Sequence, residues 1–481
     1  MAARALLLAA LLLRPPRAGA VLWSTLGVVA DGATDCTAAL NALPPGVPIE
    51  GDCPLGGAIL AQGVWYLRSQ LQLRVQAGCT VLSNATGLGS YAVSQRDPST
   101  PLFNVSLVGL TVAKTSRAAG DRVLLAYIDN FQLLNRTFRH HGGAMFLRGS
   151  CQEVAGGRSF DAAPQVGSPG IRHVGNLPKA ACLRPQPASV WVHHNSIASG
   201  DGAYQACQPL AGALWAGVGS DDVLFEANTG SSSASAFILV GLHSVPPQRS
   251  NFSCTNVTFQ GMQGSGLRLI YVQAAAAPNL VAGVLLRDLL LQVTPYLSYT
   301  PASIQLTAVW GGAVRGVRMD GVRALGSLQT ALNATGLLEG VVFTNGELAA
   351  PGAGGAATVN IDGGAAAELS HSLIGAAGGG GGGVRIGAAS ATQGTRVLNC
   401  TLAGVGAGAV GIALGAASGS TVAGNLFVAQ PGARGTTGIA LGAGTALAQV
   451  HLNDVRAMAT GIVCGRGSGN NVSGNPGAAD C

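Results

Sequence analysis

Short apolar stretches bounded by glycine recur along this chain. In the C-terminal third they read Gly383-Val-Arg-Ile-Gly387, Gly411-Ile-Ala-Leu-Gly415, Gly438-Ile-Ala-Leu-Gly442 and Gly461-Ile-Val-Cys-Gly465, at intervals of 28, 27 and 23 residues. Between them runs a second stretch, each with an asparagine: Val397-Leu-Asn399, Val422-Ala-Gly-Asn425 and Val450-His-Leu-Asn453, the asparagines 26 and 28 apart. Upstream the pattern continues as Val190-Trp-Val-His-His-Asn195, Val223-Leu-Phe-Glu-Ala-Asn228, Val257-Thr-Phe259 and Val284-Leu-Leu286, with starts 33, 34 and 27 residues apart. Earlier turns include Phe103–Val112 and Leu124–Phe131. Strands this short, cornered by Gly and Asn, predict an all-β solenoid with two or three strands per turn. Each turn stacks on the next at about 4.8 Å and hydrogen-bonds to it. Asparagines at equivalent corners are placed to bond along the stack. The fold class expected is a single-stranded right-handed parallel β-helix. The segments between strands are too short and too rich in Gly, Ser and Ala for the helices of a doubly wound α/β fold.

The ends of a solenoid need cover. Residues 31–43 predict a capping helix, with Asp35 as N-cap, Leu40 and Leu43 on one face, and Pro44-Pro45 as the stop. One β-helix domain is expected over 21–481, with Gly-rich C-terminal turns over 372–475. The stretch 375–383, which ends in six consecutive glycines, predicts a loose loop.

Composition narrows the class. Of 481 residues 72 are Gly, and only 10% are charged. That excludes a charge-rich disordered chain, and the missing Gly-X-Y period excludes collagen. The net charge of +6 is carried by Arg, with only Lys114 and Lys179 as lysines. It reads either as a codon bias or as a positive surface for acidic polysaccharide. No Lys/Arg-rich run marks a nucleic-acid site, and no apolar run approaches the ~20 residues of a membrane span.

Residues 1–20 read as a secretory signal: Arg4, the apolar Ala5–Leu13, then Ala18-Gly19-Ala20 for cleavage. Ten cysteines with no CxxC pair argue for disulfides over zinc. The spacing of Cys464 and Cys481 suggests a C-terminal clasp. Eight N-x-S/T sequons lie at Asn84, Asn104, Asn135, Asn251, Asn256, Asn333, Asn399 and Asn471. A secreted, extracellular glycoprotein is expected.

Leu26-Gly-Val-Val-Ala-Asp-Gly-Ala-Thr-Asp-Cys-Thr-Ala-Ala-Leu40 resembles the opening motif of the pectate-lyase superfamily of β-helix proteins, and Gly56-Gly57-Ala-Ile-Leu-Ala-Gln-Gly-Val-Trp-Tyr66 looks like the segment that follows it. The middle of the chain is similar to glycoside hydrolase family 28, the polygalacturonase group, and the resemblance covers about residues 25–310. It implies a pectin-lyase-like β-helix acting on cell-wall polysaccharide. Ser199-Gly200-Asp201-Gly202-Ala203-Tyr204 matches the family's Gly-Asp-Asp motif, with Asp201 at the first Asp and Gly202 at the second. Where the family has Gly-His-Gly, this chain has Ser233-Ala-Ser-Ala-Phe237. Gly266-Leu-Arg268-Leu-Ile270 keeps the Arg of Gly-x-Arg-Ile-Lys and loses the Lys. The family's Asn-Thr-Asp falls where residues 178–180 read Pro-Lys-Ala.

Inverting hydrolysis needs an acid and a base with carboxyls about 6.5–9.5 Å apart. Asp201 is the candidate general acid, and its partner is not visible. Asp221 and Asp222 start the next turn and read as turn residues. In the run His193-His194 one ring faces outward, so His194 is a weak second catalytic candidate or a plain surface residue. His140 and His141 carry the same two readings. Arg268 suits a substrate carboxylate, or a surface link or stacking on Tyr271. Tyr204 and Tyr271 are candidate substrate contacts. Trp191 and Trp215 read as sugar platforms or core aromatics. No cofactor or metal is expected: with six Glu in the chain, no oxygen cluster for Ca²⁺ is visible.

Two functions fit. One is a secreted carbohydrate-active protein of polygalacturonase-like ancestry that acts on or binds a cell-wall polysaccharide. The other is a non-catalytic polysaccharide-binding or matrix β-helix. The expected partner is polysaccharide, with no nucleic acid and no membrane span, and the expected state is a monomer.

Overall fold

The recurring apolar stretches lie side by side as parallel strands. In this computed structural model Val384 sits beside Ile412, Ile412 beside Ile439, and Ile439 beside Ile462. All four are buried. The repeat read from the sequence is therefore the repeat of the stack. The structure describes residues 19–477 except 55, 76–78, 85–92, 96–101, 115–123, 127, 135–136, 142–144, 149–152, 163–170, 174–189, 200–203, 207–220, 242–252, 276–278, 294–301, 327–329, 351–355, 377–381 and 466–468; side chains between 114 and 222 lie outside the description.

Three strands of each turn build three faces, and some turns add a short fourth, as Ala313–Arg315 beside Leu338–Glu339. In one turn the three are Arg318–Asp320 on face A, Arg323–Leu325 on face B and Thr330–Gly336 on face C. In the next they are Val342–Thr344, Glu347–Ala350 and Val359–Asp362. Every pairing between these turns is parallel and in register. The chain is a right-handed parallel β-helix.

Two compact units share this plan. One comprises residues 1–205 with 222–230, the other 206–221 with 231–481. In the first, Pro48–Gly51, Ala58–Ala61 and Trp65–Leu67 make the three strands of a turn, and Gln72–Val75, Thr80–Ser83 and Val93–Gln95 the next. Inward positions stack like on like. Ile49 meets Leu73 on face A, and Ile59 meets Val81 on face B, all buried. Period-2 alternation puts these side chains into the core and their neighbours outward.

The corners explain the glycine. At the end of face C, Gly336 has φ 92, and a Cβ there would meet the Ala308 carbonyl oxygen at 1.9 Å. Gly411 is the second residue of the face-C strand Val410–Leu414, where the Phe427 ring leaves 2.4 Å for a Cβ. A left-handed residue also recurs between faces A and B: Asp288, Gly321, Asn345, His371, Asn399, Gly424 and Leu452 all have positive φ.

Just after that corner runs an inner asparagine ladder. Asn425 Nδ2 donates to Asn453 Oδ1 at 2.8 Å, and Asn453 Nδ2 to Asn475 Oδ1 at 2.9 Å. Its members are Asn425, Asn453 and Asn475, and Asn399 is not one of them. Val397 lies beside Val422, so the inner position of Asn399's own turn is Cys400. Asn399 takes the outward left-handed corner, its Nδ2 3.2 Å from His371 Nε2. The 26-residue spacing to Asn425 joined two different columns.

The N-terminal helix is shorter than the 31–43 expected. It runs Thr37–Asn41, and Asp31–Asp35 is a strand beside Ala58–Ala61. The Asp31 carboxylate accepts the N–H groups of Ala33 and Thr34 at 2.9 and 2.8 Å, and Cys36 N–H donates to Leu60 O. These bonds hold the backbone extended until Thr37. Asp35 does serve the helix start: its Oδ1 accepts from Thr37 N and Oγ1, and from Gln62 N one turn on. Leu40 and Leu43 are buried as the spacing required.

Cys53 and Cys79 form a disulfide between successive turns. Cys36 and Cys400 are free and buried, so disulfide formation does not extend to every cysteine. Cys464 is disulfide-bonded, and Cys481 lies outside the described residues. Of the 375–383 stretch, Gly375 ends a strand with Ala376, and Gly382 and Gly383 join the ladder, Gly383 N–H donating to Val410 O.

Candidate functional site

The strand Gln263–Ala275 runs through two faces. Gln263–Gly266 pairs with Leu290–Val293 on face B, and Ile270–Ala275 with Ile304–Val309 on face C. Arg268 stands in the corner between these stretches. Its guanidinium carbon lies 4.9 Å from the centroid of the Tyr271 ring, within cation–π range. Tyr271 is buried and packs against Leu239. Burial raises its pKa, and the charge and hydrogen bond of Arg268 offset part of that rise. Arg268 itself is half-buried. Among the described residues no carboxylate pairs with it.

Tyr271 heads an outward column along face C. Gln305 lies beside it, then Asn333, Asn360 and Arg385 in successive turns. Asn360 Nδ2 donates to Asn333 Oδ1 at 2.9 Å, and Gln305 Nε2 to Thr307 Oγ1 at 3.2 Å. Gln273, beside Thr307, and Gln305 each keep an Oε1 with no hydrogen-bond partner. Both oxygens are buried, Gln273 beside Thr307 and Gln305 beside Tyr271, and no described residue donates to either.

Faces A and B carry charge of a different kind. Arg323 pairs with Glu347 at 2.8 Å on face B and Arg396 with Glu368 on face A, and Arg315 pairs with Glu339 at 3.1 Å on the short ladder that precedes face A. Asp320 faces Arg318 and accepts from Asn345 Nδ2. These are exposed pairs, each contributing about 0–1 kcal/mol. A general acid needs a raised pKa. Asp31 and Asp454 go the other way, to about 2: the Thr34 and Ala33 donors hold Asp31, and Arg456 holds Asp454. Donors from Thr37 and Gln62 likewise lower Asp35.

Of the site residues expected from the sequence, the structure joins Arg268 and Tyr271. Asp201 lies outside the described residues. His194 falls in the strand Val190–Ser199, after Val190–His193, which pair with Val223–Glu226. Tyr204 opens the strand Tyr204–Ala206. The side chains of His194, Tyr204, His140, His141, Trp191, Asp221 and Asp222 are outside the description, as is all of Trp215. Sequence reasoning missed Gln273, Gln305, Asn360 and Arg385. Their common column exists only once the register of unequal turns is known.

No family model matches this chain, and no curated protein matches it. Solved structures similar to it include tailspike protein 3 of bacteriophage CBA120, at 13% identity and TM-score 0.40 over 96% of this chain. The chain spans 62% of that tailspike's length. A family 28 exopolygalacturonase of Yersinia enterocolitica matches at 13% identity and TM-score 0.37, over 87% of this chain and 77% of the other. The catalytic unit of an α-1,3-glucanase of family GH87 from Streptomyces thermodiastaticus matches at 16% and 0.42, over 88% and 70%. The β-helix assignment itself rests on the ladder registers.

Proposed function

We propose that this chain is an exported β-helix protein of carbohydrate-active type that binds a polysaccharide on face C, with Arg268 and Tyr271 as the anchor. The observation that supports this is a half-buried guanidinium stacked on a tyrosine ring, with no carboxylate partner among the described residues. Such a cation suits the carboxylate of an acidic sugar, and Asn360 and Arg385, further along the same column, suit its hydroxyls. The signal-like residues 1–20 and the Cys53–Cys79 disulfide support export. The second reading is hydrolysis, with Asp201 as general acid on the strength of the Ser199-Gly200-Asp201 motif. The Arg-paired carboxylates of faces A and B support binding over catalysis.

Titration calorimetry of the secreted protein with polygalacturonate tests the binding, with a neutral α-1,3-glucan as comparison. The wild type binds the acidic polymer more tightly, and Arg268→Ala weakens that binding about tenfold, roughly 1.4 kcal/mol. Absence of binding to either polymer, or full affinity in Arg268→Ala, overturns the reading. Release of reducing ends that Asp201→Asn abolishes would establish hydrolysis instead.

A further inference from the structure

Trp310 is the feature that the fold does not need. It follows the face-C strand Ala302–Val309, which carries Gln305 and Thr307. Val309 O accepts the N–H of Gly312 at 3.0 Å, closing a tight turn, with Trp310 at φ 51 and Gly311 at φ 83. Two consecutive left-handed residues are the signature of a turn that Gly, Asn and Asp adopt readily. A bulky side chain at such a position is an outlier. The large apolar side chain is also left in water, 55% exposed. The two other tryptophans whose side chains are described, Trp23 and Trp65, are fully buried. In the next turn Leu337 is 61% exposed, and its carbonyl accepts from Val314 N. The corner after face C thus presents an indole and a leucyl side chain to solvent, beyond Gln305 and Thr307 of the same strand.

An exposed residue held in a costly backbone conformation is a pointer to function. An indole face at the end of a strand that carries Gln305 and Thr307 is the chemistry that takes a sugar chain. The apolar C–H face of one ring packs on the indole, and the neighbouring rings run along the polar side chains of face C. We infer that Trp310 is a stacking platform for a pyranose ring of the polysaccharide held on face C. This rests on the binding function proposed above and extends its site to the far end of the Gln305 strand.

The test is Trp310→Gly beside Trp310→Phe in the secreted, disulfide-intact protein, with polygalacturonate and α-1,3-glucan as probes. Trp310→Gly relieves the left-handed strain, so its melting temperature rises, yet its affinity for the bound polymer falls about tenfold or more. Trp310→Phe keeps a ring and most of the affinity. In the wild type, polymer binding shields the exposed indole from iodide quenching of fluorescence, and in Trp310→Gly that shielded component is gone. Full affinity in Trp310→Gly, with Arg268→Ala impaired, overturns the platform and leaves the binding function standing. A wild type that binds neither polymer overturns both. A change of oligomeric state in Trp310→Gly with unchanged polymer affinity makes the patch a contact between copies, and also overturns it.

Discussion

Asn453 receives two hydrogen bonds on one oxygen from Asn425: the backbone N–H at 3.1 Å and the side-chain Nδ2 at 2.8 Å. Its own Nδ2 lies within bonding distance of Val422 O, His451 O and Asn475 Oδ1. Asn453 is fully buried, so water cannot replace any of these partners. Replacing it with Ala leaves the buried Asn425 N–H unpaired and takes a donor from Val422 O, while His451 O keeps the Gly424 N–H and Asn475 Oδ1 keeps the backbone N–H of residue 453. At about 1–3 kcal/mol for each group that loses its partner, the expected loss is about 2 kcal/mol or more. Urea denaturation of Asn453→Ala beside Asn399→Ala checks it. The exposed Asn399 is expected to cost under about 1 kcal/mol.

The contrast between these two asparagines shows what the sequence reveals. The Ile412, Ile439 and Ile462 spacing announces the solenoid, because one turn length repeats as one interval wherever turns are similar. Asn399 and Asn425 share that interval by coincidence. One sits at the left-handed corner and the other one residue past it, and a one-residue slip moves a side chain from outside to inside. The helix start at Asp35 is legible from its N-cap chemistry, but its length is not, because Asp31 and Leu60 draw the preceding N–H groups into a strand. Arg268 is legible through its motif. Gln305 and Asn360 are not, since only the register across unequal turns brings them into line with Tyr271.

Gly411 tests whether the glycine columns are required by packing. A Cβ there would lie 2.4 Å from the Phe427 ring and 2.7 Å from the Gly438 carbonyl oxygen. The carbonyl belongs to the adjoining turn and cannot move without breaking its ladder. Gly411→Ala therefore destabilises by about 1–3 kcal/mol, the usual cost of overpacking. The double variant with Phe427→Leu recovers part of the loss by freeing the ring's space. Thermal melts of the single and double variants measure this.

Asp31 makes the N-terminal turn sensitive to acid. Its carboxylate accepts from Ala33 N, Thr34 N and Thr34 Oγ1, which hold its pKa at about 2 against 3.8 for a free aspartate. A lowered folded-state pKa means that the unfolded chain binds the proton first. The stabilisation is complete above about pH 3.8 and is lost as pH falls through about 2. Asp31→Asn removes this dependence. Melting temperatures taken from pH 5 to pH 2 are expected to fall less steeply in the variant than in the wild type.

Cys400 and Cys36 are free thiols in a chain whose other described cysteines are bonded. Reactivity requires the thiolate and access to it. Cys400 meets neither condition: burial pushes its pKa to about 11, despite donors from the backbone around Ser372, and its Sγ lies 3.4 Å from Leu398 O. Cys36 is equally buried, its Sγ between Val29 and Thr34. Both thiols are expected to resist a water-soluble disulfide reagent at pH 8 in the native protein and to react within seconds in denaturant. Mass mapping identifies the labelled positions. Because Cys400 occupies the inner slot that Asn425 fills in the next turn, Cys400→Asn has a partner ready: the Asn425 Oδ1 that now accepts from Cys400 N. That substitution extends the asparagine ladder by one rung, so the variant is expected to keep its fold. Cys400→Asp puts a charge in the same dry slot and is expected to unfold the surrounding turns.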